Sequence, residues 1–477
     1  MSYQVPQHID NNKVFIVNRS EIEGRLDPLF YTRQFSIIMN KIKECALYKQ
    51  LHEIAHFSSE SWNQKDYYEE EFPYIEIGAI NITDGLIEKV TKIPVDKAPS
   101  RAKVLVRTND IIISTTRPSR GAIVKITGKE NLYIASTGFS VIRDVDASVN
   151  RDYLYNVLKL NLSLKQMQQR STGGNYPAIT QEELGKILIP LPPIDIQIDF
   201  VSQLKVAYIE KHKKDIEAQH LLESIDTYLL NELGVSLPEV RNELKDRVFL
   251  LNRSELEGRF NPTVYKDGIK LISPKWDNEK LSKVAFVNPS GAYKGKTVDT
   301  PISFVPMEVI DETFSEITTM DETTIELASG FTKFRERDLL WAKITPCMQN
   351  GKSAIAKNLI NGLGCGSTEF FVLRPKDERL SIEYLHVILH MKCVRETAML
   401  YFGGSAGQQR VPASFLENFN LPLPPKEKQV EIANHVYALR QQAKALREEG
   451  KRILESAKQE VERMIIGRKV IDKEVLA

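Results

Sequence analysis

The sequence is poor in cysteine and in net charge, and it has no long apolar run. Its four cysteines lie far apart, so we expect reduced, packed thiols and no disulfide framework. No apolar run approaches the ~20 residues that a membrane-spanning helix needs. The N-terminus lacks the apolar segment of a secretory signal, which indicates a cytoplasmic protein. The 64 basic and 63 acidic residues nearly cancel, so any basic surface for nucleic acid must be local.

What the sequence does have is an internal repeat. Residues 14–31 (VFIVNRSEIEGRLDPLFY) and 248–265 (VFLLNRSELEGRFNPTVY) share eleven of eighteen residues at an offset of 234. The segment IPLPPIDIQ, Ile189–Gln197, returns as LPLPPKEKQ, Leu421–Gln429, at an offset of 232. The repeat indicates one ancestral unit of about 230 residues, duplicated and fused.

Each copy predicts a mixed α/β domain, and the whole chain an α+β fold with a pseudo-two-fold internal repeat. Short β-rich runs such as Asp110–Thr115 and Ser367–Pro375 are separated by Gly, Asn, Asp and Pro. Helical stretches are predicted at Arg151–Gln169 and Ser381–Tyr401. We expect globular domains at 1–190 and 236–422, a central helix at 191–235 and a C-terminal helix at 423–477.

The two long helices follow the double prolines and carry apolar residues every three and four positions. In the second copy this stripe is Ile432, Val436, Leu439, Ala443, Leu446, Gly450, Ile453, Ala457, Glu460 and Met464. In the first copy it is Phe200, Leu204, Ala207, Lys211, Lys214, Ala218, Leu221, Ile225, Tyr228 and Glu232. The period is typical of a coiled-coil seam. Roughly 35 residues give a rod of about 50 Å, and we expect the two helices to pair. The alternative is that each helix packs on its own domain.

Enzyme motifs are present only in fragments. His52-Glu53-Ile54-Ala55-His56 is a literal HExxH, which on a helix would place two imidazoles for zinc. Its counterpart is Ser282–Phe286, where only the apolar pair persists, so Ile54 and Ala55 are interpreted as a packing face. His386 and His390 are interpreted as satisfied helix histidines. The Gly351-Lys352-Ser353 segment lacks the earlier glycine of a phosphate loop, and Gly362–Gly366 is a glycine-rich loop. The residues therefore predict a chain without catalysis of its own, and with no cofactor.

Polar loops offer a different chemistry. Each copy has one such loop after its Asp-Ile/Leu-Ile/Leu strand and another before its double proline. Arg, Lys, Asn and Gln make bidentate contacts to base edges, and Ser, Thr and exposed backbone contact phosphates. The candidates in the first copy are Thr116, Arg117, Arg120, Arg170 and Asn175; those in the second are Lys343, Gln349, Lys352, Gln408, Gln409 and Arg410. A shared frame with divergent loops favours two sequence readers of different specificity over ordinary solvated loops.

This arrangement resembles the DNA-specificity subunit of type I restriction–modification systems. The resemblance rests on the doubled PLPP-x-x-x-Q junction, the helices behind it and the elements Leu51–Ala55 and Tyr74–Ile77 that open the first globule. It implies two target-recognition domains held apart by antiparallel helices, each reading half of a bipartite, gapped double-stranded DNA site. It also implies two docked modification subunits, which bind S-adenosylmethionine and flip out an adenine. A restriction subunit with ATP-driven translocation would complete the nuclease.

The duplicated NRSE(I/L)EGR segments lie before the part that carries the resemblance. Their charged residues suggest a structural or partner-facing role common to both copies; they are Arg19, Glu21, Glu23 and Arg25, with Arg253, Glu255, Glu257 and Arg259. Two other classes remain open at this point. One is a coiled-coil adaptor without DNA binding, and the other is a metallohydrolase built on His52 and His56.

Overall fold

The computed structural model describes residues 14–127, 132–237, 261–404 and 408–467, apart from positions 18, 20, 21, 26, 65 and 69. The chain divides into two units. Unit 1 comprises residues 1–214 and 448–477, and unit 2 comprises residues 215–447. The four-part division expected from the sequence stays a prediction.

Unit 1 contains two four-stranded sheets and one two-stranded pair. The strands are β1 Tyr48–Gln50, β2 Ala55–Ser58, β3 Glu71–Ile75, β4 Thr91–Pro94, β5 Ala102–Arg107, β6 Ile111–Ser114, β7 Ile123–Lys125, β8 Leu132–Ser136, β9 Phe139–Val145 and β10 Leu188–Pro190. The helices are α1 Arg33–Lys43, α2 Leu51–Ile54, α3 Arg151–Leu158, α4 Asn161–Arg170, α5 Gln181–Gly185, the first part of α6 Ile194–Leu233 and the last part of α12 Lys426–Gly467. The sheet orders are β2-β9-β6-β7, β4-β3-β8-β5 and β1-β10.

Unit 2 repeats this order strand for strand. Its strands are β11 Asn278–Lys280, β12 Ala285–Val287, β13 Pro301–Val305, β14 Asp321–Thr324, β15 Thr332–Arg335, β16 Leu339–Ala342, β17 Ser353–Ile355, β18 Leu363–Gly366, β19 Phe370–Pro375 and β20 Asn420–Pro422. Its helices are the last part of α6, α7 Pro262–Asp267, α8 Leu281–Val284, α9 Ile382–His390, α10 Lys392–Met399, α11 Ala413–Asn418 and the first part of α12 Lys426–Gly467. The sheet orders β12-β19-β16-β17, β14-β13-β18-β15 and β11-β20 confirm that the repeat is one of structure.

The central strands β6 and β16 are apolar because both of their faces are covered. Ile111 and Ile113 pack against the helices of unit 1, whereas Ile112 packs in the core between the two four-stranded sheets. Leu339 and Leu340 divide in the same way in unit 2. Successive side chains of a strand point to opposite faces of the sheet. Because both faces are buried here, the strand is a continuous apolar run.

A buried aspartate precedes each of these strands. Asp110 accepts from Arg143 Nη2 at 2.9 Å, and Asp338 accepts from Arg374 Nε and Nη2 at 2.6 Å each. Asp338 also accepts from the Arg335 backbone N–H at 2.7 Å. Since Asp338 is 1% exposed, its carboxylate depends on these donors for the stabilisation that water would otherwise supply.

The two helical stretches predicted as single elements are each broken in two. The breaks fall at Leu160 and Met391, which have extended backbone and buried side chains. The glycine-rich segment Gly362–Gly366 is also different from the prediction, since most of it forms strand β18. A Cβ at Gly366 would lie 2.1 Å from the carbonyl oxygen of Val305 on the paired strand, so the glycine allows close backbone pairing.

The long helices are longer than predicted: α6 has 40 residues and α12 has 42, or about 60 Å each. The buried positions match the predicted apolar stripes along the first part of each helix and then shift by one residue. Leu229 is buried beside half-buried Tyr228, and Val461 is buried beside exposed Glu460. The reason is that a straight 3.6-residue helix rotates by ~20° per heptad against a 3.5 period.

The helices contact each other within each unit, in opposite sequence directions. In unit 1 a Cβ added to Gly450 would lie 3.3 Å from the Cα of Lys211, so glycine permits a close approach. In unit 2 the rings of Tyr228 and His435 lie 4.2 Å apart, and Lys428 Nζ lies 2.8 Å from a carboxylate oxygen of Glu232.

The junction glutamines anchor the long helices to their units. Gln429 is fully buried; its Oε1 accepts from the Ser381 N–H at 2.8 Å, and its Nε2 donates to the carbonyls of Arg379 at 2.7 Å and Pro424 at 2.8 Å. Gln197 makes the equivalent three bonds in unit 1. The terminal Q of the repeated motif therefore joins the start of the long helix to the start of α9 or α3.

Unit 1 also buries a lysine. Lys159 is 5% exposed, and its ammonium donates to the carbonyl of Asp84 and to the Tyr155 hydroxyl. Burial, with the nearby charge of Lys458, lowers the pKa of Lys159 to about 7.

Candidate nucleic-acid interface

The two polar loops of unit 1 lie side by side. The Arg117 N–H donates to the Pro177 carbonyl at 2.7 Å, and the Ile179 N–H donates to the Thr115 carbonyl at 2.9 Å. Thr116 and Ala178 form the β-bridge between these bonds. The sequence placed both segments among the candidates, and the structure joins them into one surface, which we call loop pair 1 (residues 115–120 and 171–178).

Unit 2 repeats the arrangement. The Thr345 N–H donates to the Gln409 carbonyl at 3.0 Å, and the Val411 N–H donates to the Lys343 carbonyl at 2.9 Å. Ile344 and Arg410 form the bridge. We call this surface loop pair 2 (residues 343–345 and 408–411). Its backbone frame matches loop pair 1, while its side chains differ.

In loop pair 1 the arginine at the centre is held by its neighbours. The Arg117 guanidinium lies 4.3 Å from the centroid of the Tyr176 ring, and its Nη2 donates to the Asn175 carbonyl at 2.9 Å. The backbone of Arg117 is left-handed, with φ 49°, which is uncommon for a residue with a side chain. Tyr176 is 70% exposed, so an aromatic face and a guanidinium are presented together. Tyr176 was not among the residues predicted for the site.

In loop pair 2 the held arginine is Arg410, at a different place in the frame. Its Nε and Nη2 donate to the two carboxylate oxygens of Glu369 at 2.9 and 2.8 Å, and its Nη1 donates to the Gln408 carbonyl at 3.0 Å. The hydrogen bonds from Arg410 lower the pKa of Glu369. Glu369 was not among the residues predicted for the site. The only signal was that Ser367-Thr368-Glu369 aligns with Ser136-Thr137-Gly138.

The remaining candidates are placed unevenly. Arg120, Asn175 and Gln408 are exposed. Lys343 lies in loop pair 2, with its Nζ 5.5 Å from the Phe371 ring centroid.

Two candidates of unit 2 make their contacts away from the loop pair. Lys352 Nζ donates to the Met307 carbonyl at 3.2 Å, and the Gln349 carbonyl accepts from Arg395. Both side chains are half-buried. The structure therefore does not join Gln349 and Lys352 to loop pair 2.

Arg170 differs from the expectation of a DNA contact. Its side chain is 4% exposed; Nη2 lies 2.9 Å from Glu23 and Nη1 lies 3.0 Å from Glu183. Arg25 lies 3.6 Å from the same Glu183 oxygen. Arg170 is thus committed to ion pairs below the loop, because a buried guanidinium needs carboxylate partners.

These ion pairs also give the first NRSE(I/L)EGR segment a structural role within unit 1. Glu21 and the second segment, with Arg253, Glu255, Glu257 and Arg259, lie outside the described residues.

The HExxH segment does not form one helix. His52 lies in the short α2 and His56 lies in β2, while His52 Nδ1 is 2.9 Å from the Gly185 carbonyl. Ile54 and Ala55 are buried, which confirms the packing face. Among the described residues no cluster of three His, Cys, Asp or Glu could hold a metal ion.

The two helix histidines have protein partners, as predicted. His386 contacts the hydroxyls of Ser353 at 3.2 Å and Tyr437 at 2.9 Å, and His390 contacts the Glu312 carbonyl at 3.3 Å. The four cysteines are free thiols, three of them buried. In the described part of the chain no helix is long and apolar enough to cross a membrane.

Solved structures with related chains include one from work on complex assembly and conformational transition of a type I R-M system. It has a TM-score of 0.44 and 22% identity, and the match covers 88% of this chain and 95% of that chain. The HsdS subunit from Thermoanaerobacter tengcongensis matches with a TM-score of 0.36 and 22% identity over 88% of this chain and 96% of that one.

Curated relatives match one part of the chain. The specificity subunit of type I restriction enzyme EcoEI from Escherichia coli is 38% identical over 160 residues, which is 33% of this chain and 26% of that protein. The EcoAI specificity subunit from Escherichia coli is 34% identical over 158 residues, again 33% and 26%. The matched region spans about a quarter of the length of these relatives.

A family model, the type I restriction modification DNA specificity domain, matches residues 47–225 and 299–454. These segments contain both loop pairs and both junction glutamines. Since they make up well over half of the chain, the protein belongs to the type I restriction modification DNA specificity family.

Proposed function

We propose that this chain is the DNA-recognition subunit of a type I restriction–modification complex, or of a related methylation-based defence system. Each unit reads one half of a bipartite, gapped double-stranded site. The observation that carries the proposal is the doubled loop pair: the backbone bonds recur in both units, while Arg117 and Arg410 are held at non-equivalent positions. One frame with two side-chain sets suits two half-sites of different sequence.

Base and phosphate contacts divide among the half-buried and exposed residues of the two loop pairs. In unit 1 we assign Thr116, Arg117, Arg120 and Asn175 to this surface, and in unit 2 Lys343, Gln408, Gln409 and Arg410. Bidentate contacts from Arg, Asn and Gln to base edges give sequence specificity, whereas contacts from Lys, Arg and backbone N–H groups to phosphates give salt-dependent affinity. Gln349 and Lys352 stay predictions with a weaker structural basis.

We assign the spacing between half-sites to α6 and α12, paired as an antiparallel coiled coil. The opposite sequence direction of their contacts in each unit supports this pairing. Inserting seven residues into both helices should then lengthen the gap and leave both half-sequences unchanged. A changed half-sequence with an unchanged gap would contradict this assignment.

The helices also serve as the docking surface for two adenine methyltransferase subunits. On α6, Ile194, Ile198, Val206 and Ile209 lie within a third of the helix circumference and are exposed, Val206 by 62%. An exposed apolar stripe on one helix face fits a partner interface. Val206→Glu should weaken co-purification with the methyltransferase, whereas Gln203→Glu, at an exposed position of α6 outside this stripe, serves as the control for added charge.

Methylation and cleavage are assigned to partners. The methyltransferase subunits bind S-adenosylmethionine, and a restriction and translocase subunit completes the nuclease. Within this chain, the described residues bind and position DNA.

The experiment that tests the proposal maps methylated adenines across the genome in cells with and without this gene. A bipartite motif that disappears on deletion supports the proposal. An unchanged methylation pattern, with the partner active and bound to this chain, would contradict it and would favour the coiled-coil adaptor without DNA binding.

A further inference from the structure

Arg410 is the one arginine among the predicted base-reading residues of loop pair 2, and a carboxylate holds its guanidinium. Arginine has five N–H donors in a rigid planar fork. Among the described residues, Glu369 accepts from Nε and from Nη2, and the Gln408 carbonyl accepts from Nη1. One donor on Nη1 and one on Nη2 are left over.

The geometry of the fork decides where these two donors point. Glu369 occupies the edge formed by Nε and Nη2. The end of the guanidinium, formed by Nη1 and Nη2, carries two nearly parallel N–H groups away from that carboxylate, and we place the Gln408 bond on the other Nη1 hydrogen, beside Cδ. Two parallel donors match the O6 and N7 acceptors of guanine in the major groove. Adenine offers a donor in place of O6, so it cannot accept both.

Glu369 itself is fixed by the sheet. Its N–H donates to Ser367 Oγ at 3.2 Å, and its carbonyl accepts from the Lys343 N–H at 2.9 Å. The next residue, Phe370, begins strand β19. The carboxylate therefore stands on a rigid element and reaches across to an arginine on the neighbouring loop, which suits a positioning function.

Unit 1 shows that this ion pair is not needed for the frame. Gly138 stands in place of Glu369, and Ala178 stands in place of Arg410. The Thr115 N–H nevertheless donates to the Gly138 carbonyl at 2.8 Å, as Lys343 does to Glu369. The loops meet in both units, so the loop pair forms without the ion pair. The ion pair of unit 2 therefore has a role other than holding the two loops together.

We propose that Glu369 is a positioning residue that holds Arg410 ready for a bidentate contact to one guanine, and that the half-site of unit 2 contains this guanine. The proposal rests on the proposed DNA-reading function. It adds a specificity-determining residue and the identity of one recognised base. Holding the side chain in advance lowers the entropy that binding would otherwise lose.

The test is sequencing of random duplex DNA selected by the chain in complex with its methyltransferase. The variants are Arg410→Ala, Glu369→Ala and Glu369→Gln, with Asp377→Asn as the control because Asp377 pairs with Arg379 at 3.0 Å on the surface of the same unit. We expect Arg410→Ala to reduce the preference for guanine at one position by roughly tenfold or more, the effect of one lost bidentate contact.

Glu369→Ala should reduce the preference at the same position by roughly threefold to tenfold and leave every other position unchanged. Glu369→Gln should be intermediate, since an amide oxygen accepts but its NH₂ group cannot. Asp377→Asn should match the wild type. The other positions of the half-site read by unit 2 are an internal control for folding in every variant.

Selection of a bipartite site without a guanine that depends on Arg410 would overturn the inference alone. The same holds if Glu369→Ala weakens all sequences equally. Absence of any selected sequence from the wild-type complex would instead overturn the proposed function, and the inference with it.

Discussion

The junction glutamine of unit 2 offers a test of the fold that the repeat implies. We expect Gln429→Leu, which keeps roughly the volume of the side chain, to remove three hydrogen bonds and to leave the Ser381 N–H and the carbonyls of Arg379 and Pro424 without their partner. At roughly 1 kcal/mol net for each bond, the loss is about 3 kcal/mol. For a unit of this size that corresponds to a fall in Tm of roughly 6–12 °C.

Tryptophan fluorescence can report unit 2 separately during unfolding in urea. Trp276 and Trp341 belong to unit 2, whereas Trp62 is the one tryptophan of unit 1. In a Trp62→Phe background, the midpoint should fall in Gln429→Leu and should hold in Gln442→Leu, since Gln442 is exposed on the same helix. Equal midpoints for the two variants would refute the reasoning that the motif glutamine is a structural anchor.

Three further predictions concern charge, packing and pH. Asp338→Ala should lower the free energy of unfolding in urea by roughly 1–3 kcal/mol, because half-buried Arg374 and the Arg335 N–H lose their carboxylate partner, whereas Asp377→Ala should leave the midpoint unchanged. Gly450→Leu should lower the free energy of unfolding by roughly 1–3 kcal/mol through overpacking, and Gly450→Ala is the milder control. Equal urea midpoints for wild type and Gly450→Leu would contradict the close approach of the two helices. The pKa of Lys159 is about 7 when folded and 10.5 ordinarily, so the unfolded chain binds the extra proton between these values. The free energy of unfolding should therefore rise from pH 7 to 9 more in the wild type than in Lys159→Met.

The repeated architecture was predictable because duplication doubles every signal. An apolar pair such as Ile54 and Ala55, present in both copies, identifies a packing face without a structure. The breaks at Leu160 and Met391 were not predictable, because a buried leucine or methionine with extended backbone has the same apolar pattern as a continuous helix. The pattern reports burial and does not report the backbone angle of one residue.

The two polar loops of each copy were predictable from the sequence, whereas their pairing and the partners of single residues were not. Arg117 and Arg410 lie in the joined loops, as expected. Arg170 is adjacent to one of these loops but is buried. The sequence does not show this burial, because its ion-pair partners Glu23 and Glu183 lie outside the loop. Glu369 was missed for the same reason: pairing across about 40 residues leaves no local signal.

The most direct test of two independent readers is adenine methylation mapping in cells that carry Arg117→Ala. Arg117 belongs to loop pair 1, where it lies over Tyr176. We expect the methylated motif to be relaxed or lost in one half-site, while the other half-sequence and the gap are retained in the sites still methylated. Equal degeneration of both half-sites, or an unchanged motif, would contradict the account.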